Sequence, residues 1–202
     1  MAPDGAALIA AAETLLGALG FRMITVLHDS AARELSGPLV ASDYELDHQL
    51  LMILADDVSA TEPAVSVTEV DLVTLHSGRV VAAVERHGGG EVGHQLASRD
   101  SLIASAVALR CFAVLEDDEI VARCQLYTDG DIAQVENVYA HPGHRRQGFA
   151  DALVSHAVSQ ARAGGARLIF LVADADDWPQ RLYRRLGFRD AGLLHRFRRM
   201  EP

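Results

Sequence analysis

The stretch that most limits what this chain can fold into is Val135-Glu-Asn-Val-Tyr-Ala-His-Pro-Gly-His-Arg-Arg-Gln-Gly-Phe-Ala-Asp-Ala-Leu153. A strand ends near Ala140, Pro142 and Gly143 turn the chain, and a helix begins about Gln147 with small residues at Gly148 and Ala150. Such a turn leaves several backbone N–H groups unpaired at the helix N-terminus, where the macrodipole also favours negative charge. Gly148 permits close approach of a ligand, and Arg145 and Arg146 add mobile positive charge, one of them a candidate brace for the loop. The matching ligand is a pyrophosphate. Alone, Gly-x-Ala before a helix also suits an ordinary structural turn, so the surroundings must decide.

Those surroundings read as a mixed α/β pattern with one central sheet. Val65–Asp71 alternates as a strand, Leu72–His87 has helical spacing closed by Gly88-Gly89-Gly90, and Gln95–Ala108 is a second helix. Arg110–Leu115 and Glu119–Tyr127 form strands around an acidic turn at Asp117-Asp118. Ile132–Ala140 is a strand, Gly148–Ala163 a helix closed by Gly164-Gly165, and Arg167–Ala173 an apolar strand. Trp178–Leu186 is a short helix stopped by Gly187, and Leu193–Arg199 a final strand. Before residue 65, Ala6–Leu19 suits a helix, and Phe21–His28 and His48–Leu54 suit strands.

Arg145-x-x-Gly148-x-Ala150, after Val138-Tyr139-Ala140-His141-Pro142, resembles the R/Q-x-x-G-x-G/A signature of the GNAT N-acetyltransferase superfamily. Asp176-Asp-Trp-Pro-Gln-Arg-Leu-Tyr-Arg-Arg-Leu-Gly-Phe188 is similar to that family's second signature, a short Leu-Tyr helix closed by Leu-Gly-Phe. The two stand in the family's order, and the resemblance covers about residues 65–200. It implies an α/β (α+β) fold whose central, mixed but mostly antiparallel sheet is splayed at its fourth and fifth strands, with helices on both faces. Residues 65–202 would form that domain, and residues 1–64 an N-terminal helix-strand extension.

The resemblance implies acetyl-coenzyme A as co-substrate. Backbone groups of Val138 and Ala140, with Tyr139 between them, would meet the pantetheine arm. The amides of Arg145, Arg146, Gln147, Gly148, Phe149, Ala150 and Asp151 would hold the pyrophosphate. Tyr183 matches the helix tyrosine that protonates the leaving thiolate, its bland alternative being a core residue. Glu136 is the candidate general base, because strand alternation puts Gln134, Glu136 and Val138 on one face; it equally suits an exposed strand position or an arginine partner. The Val138 amide would be an oxyanion donor. Departures are Arg146 for the usual Gly, Asp176 for a common Asn, and Pro179 for a common Ala. The run Asp174-Ala-Asp-Asp-Trp178 either lines an acceptor site suited to a cationic amine or caps the next helix, with Asp177 at the cap and Pro179 just inside.

A formal charge of −10 disfavours nucleic acid as a partner. All eighteen basic residues are Arg, which excludes a lysine Schiff base, and eleven lie between Arg145 and Arg199, so an anionic ligand in that third is the economical expectation against a merely solvated face. No apolar run is long enough to span a membrane, and Ala6–Ala12 lacks the basic lead-in of a signal peptide, so a cytoplasmic location is expected. Cys111 and Cys124 fall opposite each other if the Asp117-Asp118 turn has two residues; reduced, buried thiols are expected there, with redox pairing the minor reading. His141 and His144 lack a ligand partner at suitable spacing, so no metal is expected.

Leu15-Leu-Gly-Ala-Leu-Gly-Phe-Arg22 matches Leu182-Tyr-Arg-Arg-Leu-Gly-Phe-Arg189 at five of eight positions. Either the extension carries a degenerate copy of the C-terminal helix-strand unit, or Leu-Gly-Phe is simply a common way out of a helix. Two functions fit: an enzyme moving an acetyl group to a small-molecule or peptide amine by direct attack in a ternary complex, or a non-catalytic acyl-coenzyme A sensor. In either, the extension is a candidate interaction surface or homodimer contact.

Overall fold

The computed structural model of the protein describes residues 4–56, 58, 64–76 and 90–200. In chain order the elements are α1 (Gly5–Leu16), β1 (Phe21–Val26), α2 (Asp29–Val40), β2 (Glu45–Leu54), β3 (Thr68–Val70), α3 (Gly90–Ala106), β4 (Ala108–Glu116), β5 (Glu119–Asp129), β6 (Ile132–Ala140), a 3-10 turn (Pro142–His144), α4 (Phe149–Ala163), β7 (Leu168–Asp174), α5 (Pro179–Arg185) and β8 (Phe188–Met200). From β3 onward this is the expected succession, with residues 72–76 helical and the rest of the expected Leu72–His87 helix outside the described residues. Among the described residues no helix is long and apolar enough to cross a membrane.

The chain packs as two units. The first joins Met1–Leu51 to Val172–Gln180 and Asp190–Pro202. Here β1 runs antiparallel to β8, from Phe21↔Met200 to Val26↔His195. Leu35, Leu39, Tyr44 and Phe197 form its core, with Leu8, Ile9, Ile24 and Val26 packed against them. Leu35 and Leu39 come from α2, a helix absent from the expected succession of elements. Pro38 lies inside it, and Pro within a helical pattern reads as a breaker. Arg22 is buried at the end of α1: its guanidinium donates to the Leu16, Leu19 and Gly17 carbonyls and grips the Glu13 carboxylate at 2.8 Å. One side chain therefore satisfies carbonyls that a helix end leaves open.

The second unit is Met52–Leu171 with Arg181–Arg189. Its strands lie in the order β7-β6-β5-β4-β3. All neighbours are antiparallel except β6 and β7, which pair in parallel from Ile132↔Leu168 to Val135↔Leu171. This is the mixed, mostly antiparallel sheet expected. The parallel step needs a crossover, which α4 supplies by burying Phe149, Ala152, Leu153, Val154, Ala157, Val158 and Ala161.

The β4–β5 hairpin corrects the cysteine expectation. Asp117 and Asp118 do form the two-residue turn, both with positive φ (50° and 65°), as a type I′ hairpin requires. A bulge between Val114 and Leu115 then slips the register by one, so Cys111 faces Gln125 and Cys124 faces Phe112. A one-residue slip sends the two thiols to opposite faces of the sheet. Both are free and buried, and desolvation pushes the Cys124 thiol far above its ordinary range.

Candidate active site

The site is built around the far end of β6. Its register against β5 shifts between Tyr139↔Arg123 and Glu136↔Gln125, so β6 carries one extra residue there. Asn137, in the left-handed region at φ 54°, makes that bulge. Alternation consequently breaks. Glu136 faces Gln125, and Tyr139 faces Arg123 with its ring 4.8 Å beneath that guanidinium, so both lie on one side of the sheet. Gln134, Glu136 and Val138 therefore do not share a face as simple alternation requires; Val138 is turned away from Glu136. On the Glu136 side, Gln134 Nε2 donates to the Glu136 carboxylate.

Beyond Ala140 the chain is held at three points. The His141 amide donates to Val121 O at 2.8 Å, His144 Nδ1 lies 2.7 Å from Glu116, and Arg145 Nε donates to Ala140 O at 3.3 Å. Arg145 is thus the bracing arginine, and His141 accepts from the Gly143 amide through Nδ1. Arg146 then takes φ 64° and Gly148 φ 82°. At Arg146 that conformation costs about 1–2 kcal/mol for a residue with a Cβ. Gly148 escapes the cost, and a Cβ built there would meet nothing within 4 Å, so open space fronts the turn.

Gly148 occupies the N-cap of α4 without a side-chain hydrogen bond. The first bond of the helix runs from the Ala152 amide to Gly148 O at 3.0 Å, so the amides of Phe149, Ala150 and Asp151 precede the helical ladder. The Phe149 side chain is buried and anchors this end, while Arg145, Arg146, Gln147 and Gly148 are exposed. The Asp151 carboxylate lies 3.6 Å from Arg185 on α5, which offsets its charge beside the turn. Exposed loop amides, a helix N-terminus and arginines are the donor set a pyrophosphate needs.

Tyr183, on α5, is 8% exposed, with its ring edge-on to Phe188 at 6.2 Å. Burial, then the neighbouring charge of Glu136, pushes its phenol well above the usual tyrosine range. The Glu136 carboxylate on β6 thus acts on Tyr183 together with burial, and both favour the protonated phenol. Gly187 ends α5 at φ 91°, and Val58 fills the space its missing side chain leaves.

The acidic run belongs to the other unit. Asp177 Oδ1 accepts from the Trp178 amide at 2.7 Å, and α5 begins at Pro179. Pro179 is just inside the helix as expected, but Asp177 stands one residue ahead of the cap position. The C-terminal arginines are not one free basic face: Arg196 and Arg198 pair with Asp47, and Arg199 with Glu13. Sequence reasoning missed Asn137, Gln125, Tyr127 and Asp100, the side chains around the bulge. The available signal was Asn137 itself, since Asn is poor in strands yet tolerant of positive φ.

A family model described as the Acetyltransferase (GNAT) family matches residues 79–188. No curated protein matches the chain. Among solved structures, a conserved Staphylococcus epidermidis protein of unknown function is similar, with TM-score 0.66 and 11% identity over 99% of this chain and 82% of that one. An acetyltransferase of the GNAT family from Colwellia psychrerythraea gives TM-score 0.59 and 13% identity, over 96% and 70%. A tandem GNAT protein of the clavulanic acid biosynthesis pathway gives 0.61 and 18%, over 98% and 70%. At such identities these likenesses establish the fold.

Proposed function

Because the chain belongs to the GNAT acetyltransferase family, we propose that it transfers an acetyl group from acetyl-coenzyme A to an amine by direct attack in a ternary complex. The observation that carries this reading is the open turn into α4, with Arg146 and Gly148 both left-handed and the Phe149, Ala150 and Asp151 amides ahead of the helical ladder. The Arg145 amide closes the 3-10 turn onto Pro142 O at 3.5 Å, so the amides from Arg146 to Asp151 hold the pyrophosphate, Arg146 adds charge, and the backbone of Val138 and Ala140, flanking Tyr139, meets the pantetheine amides. Acetyl-coenzyme A supplies an activated acyl carbon and a thiolate leaving group.

Glu136 takes the proton from the acceptor ammonium, directly or through water, so that the nitrogen lone pair becomes available. The Val138 amide donates to the carbonyl oxygen as negative charge grows there. Tyr183 delivers its proton to the departing sulfur. Burial and the Glu136 charge keep the phenol protonated, so its proton is in place where negative charge develops on the sulfur. In this reading residues 65–202 form the catalytic domain, acting in the cytoplasm without a metal. Residues 1–64 are an extension bearing a degenerate copy of the α5–β8 unit and a candidate homodimer contact.

Release of free thiol from acetyl-coenzyme A against a panel of small amines and peptides tests the proposal. Release above background that Glu136→Gln depresses supports it. Coenzyme A binding without release for any acceptor would favour a sensor instead.

A further inference from the structure

A buried polar chain stands behind the β6 bulge. Asp100 on α3 is 1% exposed and Gln125 on β5 is 0% exposed. Gln125 Nε2 donates to Asp100 Oδ2 at 3.0 Å. Gln125 Oε1 accepts from the Tyr127 hydroxyl at 3.0 Å and from Asn137 Nδ2, which also lies 3.2 Å from the Tyr127 oxygen.

The contacts share one direction. Gln125 turns its NH2 to an Asp100 carboxyl oxygen, which leaves its own oxygen to accept from Tyr127 and Asn137. Asn137 must then present its NH2, which fixes its side chain over the sheet while its backbone sits at φ 54°. Asn tolerates that conformation better than most residues, but in mid-strand it still carries strain, which the side-chain bonds to Gln125 and Tyr127 offset. Leaving any buried member unpaired is costly, so the chain forms as a unit or not at all.

We propose that Asp100, Gln125 and Tyr127 are positioning residues that lock Asn137 in the bulge and thereby aim the Val138 amide at the reacting carbonyl. The inference rests on the acetyltransferase reading above, because it needs that amide to serve the carbonyl oxygen. None of the three touches the reacting atoms; they act through Asn137.

Acetyl transfer to hydroxylamine, a small nucleophile that needs no acceptor pocket, reads thioester activation directly. Asn137→Ala should lower kcat by up to about a hundredfold, the cost of misplacing a catalytic group by about 1 Å, with calorimetric affinity for coenzyme A unchanged. Asn137→Gly, free to adopt positive φ, should recover most of that loss. Asp100→Asn keeps an acceptor for Gln125 and should stay near wild-type. Tyr127→Phe removes the hydroxyl that pairs with both Gln125 Oε1 and Asn137 Nδ2, and should lower kcat in the same direction as Asn137→Ala with coenzyme A affinity unchanged.

The Asn137 pair reads the bulge and Tyr127→Phe reads the side chains that hold it, so a Tyr127→Phe variant with wild-type kcat also overturns the proposal. Equal kcat in Asn137→Ala and wild type, or an Asn137→Gly variant no faster than Asn137→Ala, overturns the proposal. An active wild type with unaffected variants removes only the positioning network. A wild type that neither binds coenzyme A nor releases thiol removes the acetyltransferase reading beneath it.

Discussion

Burial and the Glu136 carboxylate both disfavour a tyrosinate at position 183, so the phenol enters the reaction protonated. Tyr183→Phe should cut kcat about a hundredfold or more with little change in coenzyme A affinity, as loss of a general acid does. The wild-type rate should also show no basic limb from this group through its ordinary value of 10.0, measured by steady-state thiol release. Arg146 stands at φ 64° where the family has glycine. Arg146→Gly should raise stability by up to about 1 kcal/mol through relief of backbone strain, while weakening coenzyme A severalfold by removing a charge beside the phosphates. Thermal melts and calorimetry on the same variant separate the two effects. His156 titrates below its ordinary 6.5, first through burial and then through the Arg110 guanidinium, with Glu69 opposing. A folded value depressed below the unfolded one contributes stability that is complete above pH 6.5 and is lost as pH falls through the folded value. His156→Gln should therefore flatten the decline in stability between neutral and acidic pH, followed by denaturant melts.

At the level of elements, the hairpin and the bulge separate what the sequence displays from what it conceals. Asp117 and Asp118 flanked by apolar runs announce a two-residue turn, and the turn is there with both residues left-handed. Asp117→Asn with Asp118→Gly should raise the melting temperature by about 2–4 °C, the effect of roughly 1 kcal/mol in a chain of this size. The bulge at Val114 and Leu115 was not legible, because nothing in those two apolar residues distinguishes an extra pairing partner from a regular strand. That one residue moved the cysteines to opposite faces. The same limit acted on β6, whose boundaries were read correctly while the face of Val138 was not, since Asn137 breaks the alternation on which facing was argued. The turn entering α4 was legible because it depends on residue types fixed by local backbone demands: Gly148 for positive φ, Pro142 and Gly143 for the bend. Helix α2 was hidden by Pro38, although its apolar residues Ala32, Leu35 and Leu39 are buried at helical spacing. The Asp100–Gln125–Asn137 chain was out of reach, since sequence gives no register between α3 and β5.

For the molecule as a whole, the first packing unit is assembled from both ends of the chain. In it, β1 covers one edge of β8 through six paired residues, Phe21–Val26 against Met200–His195. Removing residues 1–27 would strip β8 of that neighbour and leave a row of open N–H and C=O groups, a template for association. The truncated protein should aggregate or lose cooperativity in a thermal melt, and a monodisperse, cooperatively melting truncation would show that the extension is dispensable to the fold. Everything assigned to Tyr183, Glu136 and Val138 depends on where the thioester is hung, and that depends on the turn entering α4. Calorimetric titration of the full chain with coenzyme A tests it most directly. The account predicts saturable binding at one site per chain, weakened severalfold in Arg146→Gly. Absence of heat with coenzyme A, or affinity untouched when that arginine is removed and Gly148 is replaced by a bulky residue, would contradict it.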